Sequence, residues 1–124
     1  MAKSDITVWY NPRCSKCRQT LGLLQEKGHE PALYEYLAER PDKAAIRRVL
    51  KQLGVPARKL LRRGEAAYKA LGLADESLGE DRLIDAMAAH PELIERPIVI
   101  VGGRAALGRP PEQVFEILGD RLGH

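Results

Sequence analysis

The chain has 124 residues, 44% of them hydrophobic and 30% charged, which suits one ordinary soluble domain able to bury a core. Its net charge of +3, with Arg outnumbering Lys, favours a small anion held by guanidinium forks and is too small an excess to argue for nucleic acid. No run approaches the roughly 18 apolar residues of a membrane helix, and the opening Met1-Ala-Lys-Ser-Asp5 has no apolar core of a signal peptide, so the expected compartment is the cytoplasm.

Taken in order, Ile6 to Tyr10 is almost wholly β-branched or aromatic and reads as a buried strand, broken by Asn11-Pro12. A helix is expected from Ser15 to Lys27, stopped by Gly28. Pro31 to Leu37 alternates as a second strand, giving a β-α-β unit with parallel pairing. Helices then dominate from about residue 42 to 90. Asp42 is placed to cap one that carries Ile46, Val49, Leu50 and Leu53 and ends at Gly54. Pro56 at a first-turn position opens another through Leu60 and Leu61, a short one carries Tyr68 and Leu71, and a further one carries Leu83, Ile84 and Met87. The period changes again at Ile98 to Val101, a strand that turns at Gly102-Gly103 into Arg104 to Leu107, and Pro111 opens a last helix with Val114, Phe115, Ile117 and Leu118. The expected fold is α/β with a mixed sheet, β-α-β, helical insert, β-β-α, within one domain over 1–124. That order is the arrangement of a thioredoxin-like domain, an analogy that bears on fold and not on function.

Both cysteines, Cys14 and Cys17, fall in the turn between the first strand and the first helix. Free backbone N–H groups of a first helical turn stabilise a thiolate there, lowering its pKa to roughly 3.5–7.5 against about 8.5 for free cysteine. Cys14 precedes the helix and is the better nucleophile; Arg13, Lys16 and Arg18 add positive charge around it. In a reducing compartment such a pair is more readily catalytic or redox-active than a structural staple. The plainer alternative is two small buried residues among surface charges. Zinc is not expected, since His29, His90 and His124 stand at no ligand-like spacing from the cysteines and read as solvated or capping residues. Arg62, Arg63, Arg96 and Arg109 are either solvated charges or anion ligands. Arg96 and Arg109 flank the hairpin in Pro-containing loops, an arrangement that can hold guanidinium forks over a tetrahedral oxyanion. Pro97 is either a strand boundary or a cis proline beside the cysteine turn.

Asn11-Pro-Arg-Cys-Ser-Lys-Cys17, Leu60-Leu-Arg62, Glu95-Arg-Pro-Ile-Val99 and Gly108-Arg-Pro-Pro111, in this order, resemble the ArsC family, the glutaredoxin-coupled arsenate reductases and their relatives. The resemblance implies a thioredoxin-like fold, a nucleophilic Cys14, an oxyanion site of Arg62, Arg96 and Arg109, and a structural part for Asn11 and Pro97. It gives Arg63 no role. The Cys14 thiolate would attack arsenate, and glutathione and glutaredoxin would serve as external reductants, with no bound cofactor or metal, no membrane or direct nucleic-acid partner, and a monomeric chain. Cys17 departs from the pattern, because the reductases need no second cysteine there, whereas Spx-like transcriptional regulators of the same fold carry a CxxC that closes under oxidation. Cys17 is therefore open to three roles: a resolving thiol, half of a redox switch in a regulator that binds RNA polymerase, or part of a thiol oxidoreductase without arsenate activity.

Overall fold

The computed structural model describes residues 6–118. Strand β1, Ile6–Trp9, lies inside a four-stranded sheet of order β2-β1-β3-β4, with β2 at Ala32–Tyr34, β3 at Ile98–Val101 and β4 at Arg104–Leu107. β1 and β2 run parallel, with Thr7 opposite Ala32, while β3 is antiparallel to β1 and to β4, so the sheet is mixed. Helix α1, Ser15–Glu26, makes the crossover between the parallel strands. Alternation along the strands sends Ile6, Val8, Tyr10, Val99 and Val101 into one cluster with Leu24, Val114 and both cysteines. Val8, Leu24 and Val99 are 0% exposed; each contributes roughly 1.5–3 kcal/mol by burial, more than the roughly 1 kcal/mol of a typical helix cap. That burial fixes the register, because a one-residue slip of β1 would turn Val8 out of the cluster. On the opposite parity Trp9 is buried against Tyr34 and Tyr36, at ring-centroid distances of 5.2 and 6.3 Å.

The second strand is shorter than its sequence suggests. β2 stops at Tyr34, and Tyr36–Glu39 forms a helical turn, α2. The reason lies in its partner: β1 ends at Trp9, the Tyr10 N–H still donates to the Tyr34 carbonyl (2.9 Å), and then Asn11-Pro12 leads the chain away. Beyond Tyr34 no ladder remains to hold an extended chain.

The described residues form two compact units, one made of 6–36 with 96–118 and the other of 37–95, within which the expected helical segment 42–90 falls. In the second unit α3, Lys43–Leu53, is capped as expected: Asp42 Oδ1 accepts from the Ala45 N–H (2.8 Å), and Gly54 takes φ +72° at its end, a conformation a side chain would strain. Its buried Ile46, Val49 and Leu50 face α6, Glu80–Ala89, which buries Leu83, Ile84 and Met87. Between them stand α4, Ala57–Leu60, and α5, Ala66–Ala70. Pro56 sits at the N-cap of α4 rather than within its first turn, and Leu61, expected to continue the helix, is extended and bridges to Ile94. Two backbone bonds, Glu95 N–H to Leu60 and Arg62 N–H to Leu93, both 2.8 Å, pull it out of the helix. The last helix begins as a 3₁₀ turn, Pro111–Val114, and continues as α7, Phe115–Leu118. No described helix is long and apolar enough to cross a membrane.

Candidate active site

Asn11 builds the turn that presents the cysteines. Its carbonyl accepts from the Cys14 N–H (2.9 Å), its side-chain Oδ1 accepts from the Arg13 N–H (3.0 Å), and its own N–H donates to Cys17 Sγ (3.4 Å). Cys14 is the N-cap of the 12-residue helix α1, with extended φ −93° and ψ 123°, and its side chain makes no capping bond. It therefore stands where first-turn N–H groups lack helical partners. No acidic residue lies in that first turn, so none of its side chains neutralises the positive end of the helix. Arg18 closes the turn from outside by donating from Nη1 to the Pro12 carbonyl (2.9 Å).

Burial separates the two thiols. Cys14 retains 7% exposure and Cys17 none. Removal from water pushes the Cys17 thiol up to about 12; the Asn11 N–H bond pulls the other way, and the neighbouring Cys14 sulfur, by charge and by hydrogen bonding, adds to the rise. The charge of Arg109 also acts on Cys17 and lowers it, so this guanidinium reaches the field of the thiol pair.

Arg96 and Arg109 are held to each other. Arg109 Nε donates to the Arg96 carbonyl (2.7 Å), and the Gly108 N–H donates to the Pro97 carbonyl (2.9 Å), so the two loops form one block. Both arginines are half-buried and Pro97 is buried. The Arg96–Pro97 and Arg109–Pro110 bonds are both cis, the second unanticipated from sequence. Cys14, Cys17, Asn11, Arg96, Pro97 and Arg109 thus share one compact unit. Arg62 belongs to the other, where it pairs with Glu65 (Nη1 to Oε2, 2.6 Å) and Glu95 (Nε to Oε1, 3.3 Å). Arg63 is exposed, as a solvated charge would be.

A family model described as ArsC family matches residues 9–117. The chain belongs to the ArsC family. Among curated members it is 53% identical over 116 residues to the uncharacterized protein YfgD of Escherichia coli (strain K12), covering 93% of this chain and 98% of that one. It is 41% identical over 117 residues to the arsenate reductase of the same organism, covering 94% and 83% of the two chains. A solved ArsC-type structure, the arsenate reductase from Vibrio cholerae, superposes with a TM-score of 0.89 at 47% identity, covering 91% of this chain and 97% of that one. The mixed sheet with its α1 crossover is accordingly the thioredoxin-like fold of this family.

Of the histidines, His90 ends α6 and lies 3.5 Å from Glu92, His29 follows α1 with its N–H on the Leu24 carbonyl (2.9 Å), and His124 is outside the described residues. Sequence reasoning gave no role to two residues beside the arginine loops, Thr20, which it did not single out, and Gly108, which it read only as part of the Gly108-Arg-Pro-Pro111 motif. A Cβ on Gly108 would come within 2.6 Å of Thr20 Oγ1 and 2.8 Å of Pro97 Cγ. The available signal was Thr20 itself, a polar residue one turn beyond Cys17 on the buried side of α1.

Proposed function

We propose that the chain is an arsenate reductase acting through Cys14. The observation that carries this reading is the pairing of a cysteine at the unblocked positive end of α1 with an arginine block from the 96–97 and 108–109 loops of the same unit. Arsenate docks with its oxygens toward the first-turn N–H groups and the guanidinium groups of Arg96 and Arg109, which carry its charge. The Cys14 thiolate forms an S–As bond and a hydroxyl leaves as water. A second thiol, glutathione, then attacks the adduct; two thiols end as a disulfide, arsenic takes up their electron pair and arsenite leaves. Glutaredoxin reduces the resulting mixed disulfide between Cys14 and glutathione and restores the Cys14 thiol for the next cycle.

For Arg62 the support is the Leu60-Leu-Arg62 motif, and an oxyanion would compete there with Glu65 and Glu95. A protonated Cys17 is a weak attacking group, which favours external thiols over an internal disulfide as the resolving step. The cytoplasm, where glutathione is abundant, is the compartment that fits. A second reading, a Cys14–Cys17 switch in an Spx-like regulator, draws on the interaction between the two buried sulfurs.

The test is a coupled assay with glutathione, glutaredoxin and a recycling reductase. Consumption of NADPH should require arsenate, disappear in Cys14→Ser and persist in Cys17→Ser. Arsenate-independent consumption, or none, would refute the substrate. Association of the oxidised chain with RNA polymerase, without turnover, would favour the switch.

A further inference from the structure

Among the described residues Thr20 is the only buried polar one, 0% exposed, and its Oγ1 has no hydrogen-bond partner. Leaving a hydroxyl so placed costs about 1–3 kcal/mol. Its surroundings give the oxygen a steric use. It lies on α1 one turn beyond Cys17, and the atom it faces is the backbone of Gly108, where a Cβ would sit 2.6 Å from Oγ1 and 3.4 Å from the Thr20 methyl. Gly108 is itself buried, and its φ is not of the kind that demands glycine. Close approach, not backbone conformation, is therefore what a side chain at 108 would violate. A hydroxyl oxygen is also smaller than the methyl valine would put in its place.

The consequence reaches the arginines. Gly108 is bonded through its N–H to the Pro97 carbonyl, and its neighbour Arg109 is bonded through Nε to the Arg96 carbonyl, so a shift of Gly108 is passed to the 96–97 backbone and to the Arg109 side chain. Pro97 Cγ, 2.8 Å from the same hypothetical Cβ, closes the contact from the other side. Resting on the oxyanion site proposed above, we propose that Gly108 and Thr20 are positioning residues, whose contact seats the Arg96–Arg109 block on α1 and sets how far its guanidinium groups stand from Cys14. Neither touches the reacting atoms. They act through the arginines, and the effect belongs to anion binding rather than to the thiol.

Protection of Cys14 from alkylation by arsenate separates these two properties without requiring turnover. Iodoacetamide labelling of Cys14, read by mass spectrometry across an arsenate titration, gives the anion's apparent affinity; labelling without arsenate, across pH, gives the thiol's own reactivity. Gly108→Ala and Thr20→Val should each weaken protection by about tenfold, the effect of losing roughly one charge-assisted hydrogen bond to the anion. The labelling rate and pH profile of Cys14 without arsenate should match wild type in both. Thr20→Ser, which keeps Oγ1, should retain wild-type protection. Should Gly108→Ala fail to fold, Thr20→Val against Thr20→Ser decides. Protection unchanged in Thr20→Val, or lost only together with the arsenate-free labelling profile, overturns the positioning assignment. A wild-type chain that arsenate does not protect overturns the oxyanion site itself.

Discussion

Replacing Cys17 by alanine and by serine should give an order of stability opposite to the one an apolar core usually shows. Cys17 is 0% exposed within the cluster of Val8, Leu24 and Val99, and in such surroundings the hydroxyl of serine is ordinarily the worse replacement. Here, however, the sulfur accepts the Asn11 N–H at 3.4 Å. Alanine removes that acceptor and strands a partly buried donor, at about 1–2 kcal/mol, and loses the packing of one heavy atom, at about 1 kcal/mol. Serine also loses packing, because its oxygen is smaller, but keeps an acceptor for Asn11, so its cost should be about 1 kcal/mol. At about 4 °C per kcal/mol for a chain of this size, Cys17→Ala should melt about 8–12 °C below wild type and Cys17→Ser about 4 °C below. Thermal or urea unfolding followed through Trp9, which is buried beside Tyr34 and Tyr36, provides the assay. Alanine as stable as serine, or more so, would refute the idea that the Asn11 bond holds the cysteine turn.

Three further outcomes follow from other parts of the chain. Stability should fall as pH rises from 9.0 toward about 12, since the unfolded Cys17 thiol ionises first while the folded one keeps its proton; Cys17→Ser should flatten that decline in a pH series of urea titrations. Asp42→Ala should cost about 1 kcal/mol, read as a lower urea midpoint with an unchanged slope, because the Ala45 N–H loses its cap. Arg109→Lys keeps the charge but gives up the planar fork, so the coupled assay should show kcat/KM for arsenate lower by about tenfold, with labelling of Cys14 in the absence of arsenate unchanged.

Much of this was legible in the sequence because local chemistry and tertiary role coincide. Asp42 and Gly54 bracket α3 as their types demand, and Gly102-Gly103 turns the hairpin between β3 and β4. The cysteine turn was readable for the same reason, since a strand-like run, a breaker and a helical run adjoin there. Errors arose where a distant partner decides. β2 ends where β1 leaves it, and Leu61 is extended because residues 93–95 offer it backbone bonds; neither fact is encoded nearby. At the candidate site, cysteine and arginine draw notice by residue type, whereas the contact between Gly108 and Thr20 joins residues far apart in the chain, and the motif that contains Gly108 does not point to Thr20. Cys14 and Cys17 look equivalent in sequence. Burial and the direction of the Asn11 N–H make them different.

Direct speciation of arsenic tests most closely whether Cys14 converts arsenate to arsenite. Incubated with arsenate, glutathione, glutaredoxin and the recycling system, wild-type protein should release one arsenite for each NADPH consumed, and Cys14→Ser none. Arsenite formed equally by Cys14→Ser, or NADPH consumed by the wild type with arsenic left wholly as arsenate, would contradict that conversion.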